Sequence, residues 1–290
     1  MFTKQVYRYA FKRGMRFGFK EGHERGATPK IYKIKDLQKY FNLHEKALNF
    51  AILVNQKSYH KFNPPSSKQN LKPVTRGCFF KIGEWAVILH RSVRTLCEYG
   101  YVSVGGVLLR SMAECFANML AILNSKNDCE YMAFRFYALE YLNFMVLNNT
   151  NKDPELDQVL NQLDSTNRRN AELYISNFIK QKKQKTWWFR PEFDNVSQIF
   201  KDYAPILLDS YKTLSKSTHG TFFGSSLFKD QPDTMNINPR QDLKSIKVAL
   251  LLSSRYLSEI SNGRSQFERL GCDADYNKIL QELIGTKKDF

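Results

Sequence analysis

Arg110 and Glu114 stand four residues apart inside the longest apolar run of the chain, Val102 to Leu123. On a helix that spacing puts a guanidinium and a carboxylate on one stripe, which Ala117, Asn118 and Ala121 extend. A buried charge is costly unless it is paired and hydrogen-bonded. The two residues therefore either line an interior polar site or form an intrahelical ion pair that ties neighbouring helices together. A second group lies in the segment from Tyr211 to Gly220, where Tyr211, Ser215 and His219 recur at every fourth position and share a helical face. His219 then falls in the last turn, where the helix C-terminus favours the imidazolium form. Imidazole titrates near neutrality, as general acid or base chemistry requires. A histidine before Gly220 is equally what a plain helix end looks like. The third group is Lys180, Lys182, Lys183, Lys185, Trp187 and Arg190. Cations beside aromatics can neutralise a phosphate backbone and stack on a base. The bland alternative is a solvated helix end whose tryptophans, Trp187 and Trp188, anchor the core.

Several chemistries are excluded by what is missing. The chain has no G-x-x-x-x-G-K-[ST] phosphate loop, no G-x-G-x-x-G after a strand and no H-E-x-x-H. A metal site built from Glu114 and His219 alone would lack ligands, so neither a metal nor another cofactor is expected. Ser215 is badly placed as a nucleophile activated by His219, because both project from one helix and no acid in the sequence orients the pair.

The elements that must position these residues read as helices throughout. No strand-like alternation of useful length and no internal repeat is visible, so the expected fold is all-α: a multi-helix bundle with a basic N-terminal helical extension. The extension covers residues 1–62. Its first 26 residues interleave Lys4, Arg8, Lys12, Arg13, Arg16, Lys20 and Arg25 with Phe2, Tyr7, Phe11, Met15 and Phe19. That pattern predicts a basic amphipathic helix, and a second helix is predicted from Lys35 to about Lys61. The Pro/Ser-rich stretch 63–73 reads as a linker, and 74–290 as the bundle domain. Within it, helices are expected over about Val74–Tyr99, Ser103–Leu123 and Asn127–Asn148. Asp153-Pro154 should open a helix continuing towards Lys185. Two shorter helices follow, the second from Pro205 to near Gly220. A long one runs from Pro239 to about Asn262, and a terminal one starts at Asp273.

The formal net charge is +16 over 290 residues, which makes an anionic partner the natural expectation, RNA before DNA. Five cysteines with no C-x-x-C pair fit a reducing compartment and hence the cytoplasm. The N-terminus lacks the apolar core of a secretory signal. The 102–123 run contains Arg110, Glu114 and Asn118, so it is expected to be a core helix and not a membrane span.

The order Leu-Leu-Arg-Ser-Met-Ala-Glu at 108–114, Trp187-Trp188 after a basic stretch, then Tyr-x-x-Leu-Ser-x-x-x-His-Gly at 211–220 resembles a bacterial helical domain-of-unknown-function family, number 5677. The resemblance covers about residues 74–260. More loosely the chain resembles HEPN-type helical proteins, many of which are ribonucleases of toxin and phage-defence systems. Those nucleases carry an Arg and a His closely spaced on one helix. Arg16 and His23 fit the spacing formally but lie in the N-terminal helix, and the body has no such pair. What the resemblance implies is a metal-independent ribonuclease or toxin effector of a prokaryotic antiphage defence or toxin–antitoxin system. Its site would be assembled between helices from Arg110, Glu114 and His219, with Tyr211 and Ser215 behind them. The alternative is a non-catalytic subunit of a defence assembly that binds nucleic acid or protein, with a protein partner or homodimer as a further expectation.

Overall fold

A helix that is apolar nearly all round needs neighbours on nearly every side, and Val102–Asn124 has them. In the computed structural model, residues 35–62, 73–99, 102–150, 152–181, 188–189, 192–218 and 243–286 are described. Among them are ten α-helices and no strand, so the chain is an all-α multi-helix bundle. In order they are α1 (Lys35–Phe62), α2 (Pro73–Glu98), α3 (Val102–Asn124), α4 (Cys129–Asn148), α5 (Pro154–Leu160), α6 (Ser165–Lys180) and α7 (Val196–Tyr203). After a 3-10 turn at Pro205–Leu207 come α8 (Leu208–Thr218), α9 (Leu243–Glu268) and α10 (Asp273–Gly285).

Helix α3 is the hub: α2, α9, α8, α7 and α4 all pack on it. By length and composition Gly105–Asn124 could cross a membrane, but just over half of it (56%) is buried inside the bundle. Helix α1, assigned from sequence to the N-terminal extension, makes the most extensive contact of all, along α9. Its Leu37, Tyr40, Phe41, Ala47 and Ala51 join the main core. Its Leu43, Phe50 and Val54 form a second small cluster with Cys272, Ile279 and Leu283 at α10. The basic helix expected over 1–26 lies outside the described residues. So does the 63–73 linker, apart from Pro73, which begins α2.

Two helix limits differ from the sequence expectation. The helix opening at Asp153 does start there, with Pro154 in its first turn and the Asp153 carboxylate accepting from the amides of Glu155 and Leu156. It ends at Leu160 rather than continuing towards Lys185. Asp164 then restarts the chain as α6, accepting the Asn167 amide at 2.9 Å and the Asn167 side-chain amide at 2.8 Å. An aspartate able to cap is an alternative to continued helix. Helix α9, expected to stop near Asn262, runs on to Glu268. Gly263 is not a terminator but the point where α9 meets α3: a Cβ there would sit 2.4 Å from Met119 Cε.

Gly263→Ala is therefore expected to destabilise the protein by about 1–2 kcal/mol, although alanine is intrinsically the better helix former by about 0.5–1 kcal/mol. Met119 is buried, so its thioether end must be displaced within a packed core to admit the methyl. Urea titration would read the sign, and in a Met119→Ala background the same change should become neutral or stabilising. A gain in the wild-type background would remove the close approach as the reason for this glycine.

Candidate functional site

Helix α8 lies across α3 and brings the first two sequence groups together. Arg110 Nε donates to Glu114 Oε1 at 3.0 Å, and the two side chains are 18% and 31% exposed. From α8, the buried Tyr211 directs its hydroxyl to the same place, within hydrogen-bond reach of both Arg110 and Ser215. Burial raises the Tyr211 pKa, and the Glu114 charge raises it further; Arg110 and the Ser215 and Arg110 hydrogen bonds act in the opposite direction. The phenol thus stays protonated at neutral pH and can donate. Its ring is held by stacking on Phe200, 5.1 Å between centroids, and Phe200 in turn meets Phe116 of α3. The hydroxyl end of the cluster is polar and partly open, while its base is an aromatic wall.

Of the five residues read from sequence as catalytic or supporting, the structure gathers Arg110, Glu114, Tyr211 and Ser215. His219 lies outside the described residues, four positions beyond Ser215 and just past the last residue of α8. Lys180 is exposed in the last turn of α6, where a cation complements the helix dipole. Lys182, Lys183, Lys185, Trp187 and Arg190 are outside the described residues.

The α3 stripe has a second occupied position. Trp188 Nε1 donates to Asn118 Oδ1 at 2.9 Å, and the indole is buried edge-on against Phe136 at 5.5 Å. Trp188 is a core anchor, fixing one point of the segment between α6 and α7 to the hub helix. Its carbonyl is held too, by Arg135 Nη2 at 2.6 Å. The same guanidinium donates to Glu192 at 2.5 Å and lies between the rings of Tyr131 and Tyr174. Arg135 escaped the sequence reading. The signal was present, since it is a charge inside the largely apolar α4, as Arg110 is in α3.

An ion pair from Arg to the Glu four residues on is not peculiar to this site. It recurs at Arg94–Glu98, Arg168–Glu172, Arg255–Glu259 and Arg264–Glu268. Arg110–Glu114 has two hydroxyls, Tyr211 and Ser215, brought to it from one other helix; single hydroxyls also reach Arg264–Glu268, from Ser58, and Arg255–Glu259, from Tyr276. Among the described residues no cluster of His, Cys, Asp and Glu could hold a metal ion.

A family of unknown function, DUF5677, matches residues 86–235, somewhat over half of the chain and less than the 74–260 expected. The matched stretch contains Arg110 and Glu114, Trp188, Tyr211, Ser215 and His219. No curated protein and no solved structure matches the chain significantly.

Proposed function

The chain belongs to the DUF5677 family of unknown function, and we propose that it is a cytoplasmic protein acting on nucleic acid, a metal-independent ribonuclease of toxin or antiphage-defence type. The observation that carries this is the cluster at the α3–α8 crossing: a cation, a carboxylate and two hydroxyls on one partly open spot. The sequence sets an imidazole, His219, four residues past Ser215 in the same motif. The net charge of +16 supports a polyanionic substrate. RNA is preferred because its 2′-hydroxyl is an internal nucleophile. That hydroxyl attacks the adjacent phosphorus, the 5′-oxygen departs, and a 2′,3′-cyclic phosphate remains, with no water or metal consumed. His219 takes the 2′-hydroxyl proton and returns it to the departing 5′-oxygen. Arg110, freed from or shared with Glu114, stabilises charge on the phosphoryl oxygens. Tyr211 and Ser215 hold Arg110 in place and donate to the anion. Lys180 and the basic residues that follow it add affinity for the backbone.

A second reading keeps this spot as structure. The four similar Arg–Glu pairs on other helices favour it, because the same spacing recurs there as an ordinary intrahelical ion pair. The protein would then be a non-catalytic subunit binding nucleic acid or a protein partner. Labelled RNA and single-stranded DNA, incubated with wild type, Arg110→Ala and His219→Ala, separate the two. Arg110 is partly exposed, so its removal should cost no more than about 1 kcal/mol of stability. Activity should fall by roughly 10²–10³-fold in either variant, with circular dichroism unchanged. Binding without cleavage, equal in all three proteins, would instead establish the second reading.

A further inference from the structure

His44 of α1 and His90 of α2 are both 0% exposed, with their rings stacked 3.3 Å apart at centroids and 7° from parallel. They lie outside the α3–α8 cluster, where α1, α2 and α9 meet. His90 is hydrogen-bonded on both sides: Nε2 is 3.0 Å from the His44 carbonyl and Nδ1 is 2.7 Å from Ser253 Oγ of α9. A carbonyl can only accept, so Nε2 carries a proton. In the neutral ring Nδ1 is then an acceptor and the Ser253 hydroxyl donates to it. In the imidazolium Nδ1 donates instead, and the Ser253 proton has another acceptor in Met112 Sδ of α3, 3.5 Å away. His90 can therefore be accommodated in either protonation state by one hydroxyl rotation.

His44 cannot. Neither of its buried ring nitrogens makes a hydrogen bond of good geometry, and the His90 backbone, which favours a charged ring, is outweighed by burial; a phenyl ring would avoid that cost while keeping the stack. An imidazolium at 44 would bury two N–H donors and a charge against a second imidazole. The charged neighbours of the pair are Arg94 and Arg91 of α2. Arg94 is itself engaged by Glu45 of α1 and Glu98 of α2. From α9 and α3 the facing groups are Ser253 and Met112, neither of which titrates near neutrality. No carboxylate is bonded to either ring to compensate a proton.

We propose that the stacked His44–His90 pair is a proton-operated latch, in which proton uptake from solvent by His44 releases α1 from α2 and α9. With His44 charged, at most one of its two donors faces the His90 backbone, and the other is satisfied only in water, which is reached only if α1 lifts away. Burial holds both imidazoles below their ordinary range, His90 at about 4 and His44 well below 6.5. The sign follows: the opened state binds the extra protons. The closed state is therefore fully favoured above pH 6.5 and loses ground as pH falls towards 4.

The test is hydrogen exchange read by mass spectrometry on the full chain at pH 7.5 and 4.5, corrected for the intrinsic pH dependence of exchange. Two pH units below an open-state pKa of 6.5 correspond to about a hundredfold bias from His44, while His90, which is accommodated in either protonation state, contributes less. Protection of α1 is therefore expected to fall roughly a hundredfold more than that of α6. In His44→Phe, which keeps the stack and cannot titrate, the excess loss should shrink to about tenfold or less. Equal loss in α1 and α6, or the same excess loss in His44→Phe, overturns the latch. Should that variant not fold, imidazole NMR of the wild type carries the test. The latch requires His44 to remain neutral until α1 opens, and a His44 ring that titrates near pH 6.5 with α1 still protected overturns it.

Discussion

Glu130→Ala is expected to cost about 3–5 kcal/mol of stability, among the largest effects of any single substitution in the bundle. The Glu130 carboxylate, in the first turn of α4, accepts from the Val74 amide at 2.7 Å, the Thr75 amide at 2.9 Å and the Thr75 hydroxyl at 2.6 Å. Val74 and Thr75 are in the first turn of α2, where backbone N–H groups have no partner within the helix. Glu130 thus caps a helix 56 residues away, and its own amide is capped by Asp128 at 2.8 Å. Hydrogen bonds to a charged acceptor are worth about 1.5–3 kcal/mol each. Alanine would leave two amides and a hydroxyl buried without acceptors, offset in part by any water that enters. For a chain of this size about 2–4 °C of Tm accompanies each kcal/mol, so a thermal melt should drop by about 10 °C. Thr75→Val, which removes one of the three bonds, should cost about 1 kcal/mol. A loss in Glu130→Ala no larger than that would mean water replaces the carboxylate.

Glu130 also shows where the sequence stops being legible. Helix starts such as Asp153-Pro154 are written within four residues, and the structure places them as expected. So is the character of α3, because a helix apolar all round can only be a hub. The pairing of Arg110 with Glu114, and of Tyr211 with Ser215, followed from helical spacing alone. That these two pairs meet did not. It needs the α3–α8 crossing, which no local pattern specifies. The same holds for Glu130 with Val74, for Arg135 with Glu192 and for His44 with His90. In each a polar residue looks unpartnered along its own helix and meets its counterpart on a distant element. A useful signal was nevertheless on hand. Glu130 and Arg135 are charges in the largely apolar α4, as Arg110 and Glu114 are in α3. The stop expected at Asn262 failed for a related reason. Gly263 has two physical uses, ending a helix or admitting a close neighbour, and only the position of Met119 distinguishes them.

Arg264→Met should be comparably severe, at about 3–5 kcal/mol, but for a different reason, and a second substitution should partly undo it. Arg264 is buried in the last turns of α9, donating to Glu268 Oε1 at 3.0 Å, to Asn55 Oδ1 at 2.5 Å and to Ser58 Oγ at 2.7 Å. Through these bonds it fastens the C-terminal half of α1 to α9. Glu268 is 0% exposed and its Oε2 has no hydrogen-bond partner, so Arg264 supplies the carboxylate's direct bond, with Arg76 contributing only through its charge. Removing the guanidinium leaves a carboxylate in the core without a bonded counter-charge, and desolvation of that group dominates the cost. Methionine fills most of the volume, so little of the loss arises from a cavity. In Arg264→Met/Glu268→Met both charges are gone and the desolvation penalty goes with them. The double variant should then be more stable than Arg264→Met alone, with a coupling of about 1–3 kcal/mol in a double-mutant cycle. Additive losses would mean instead that Asn55 and Ser58, not Glu268, set the contribution of Arg264. The junction of α1 with α9 would then be held by its neutral hydrogen bonds.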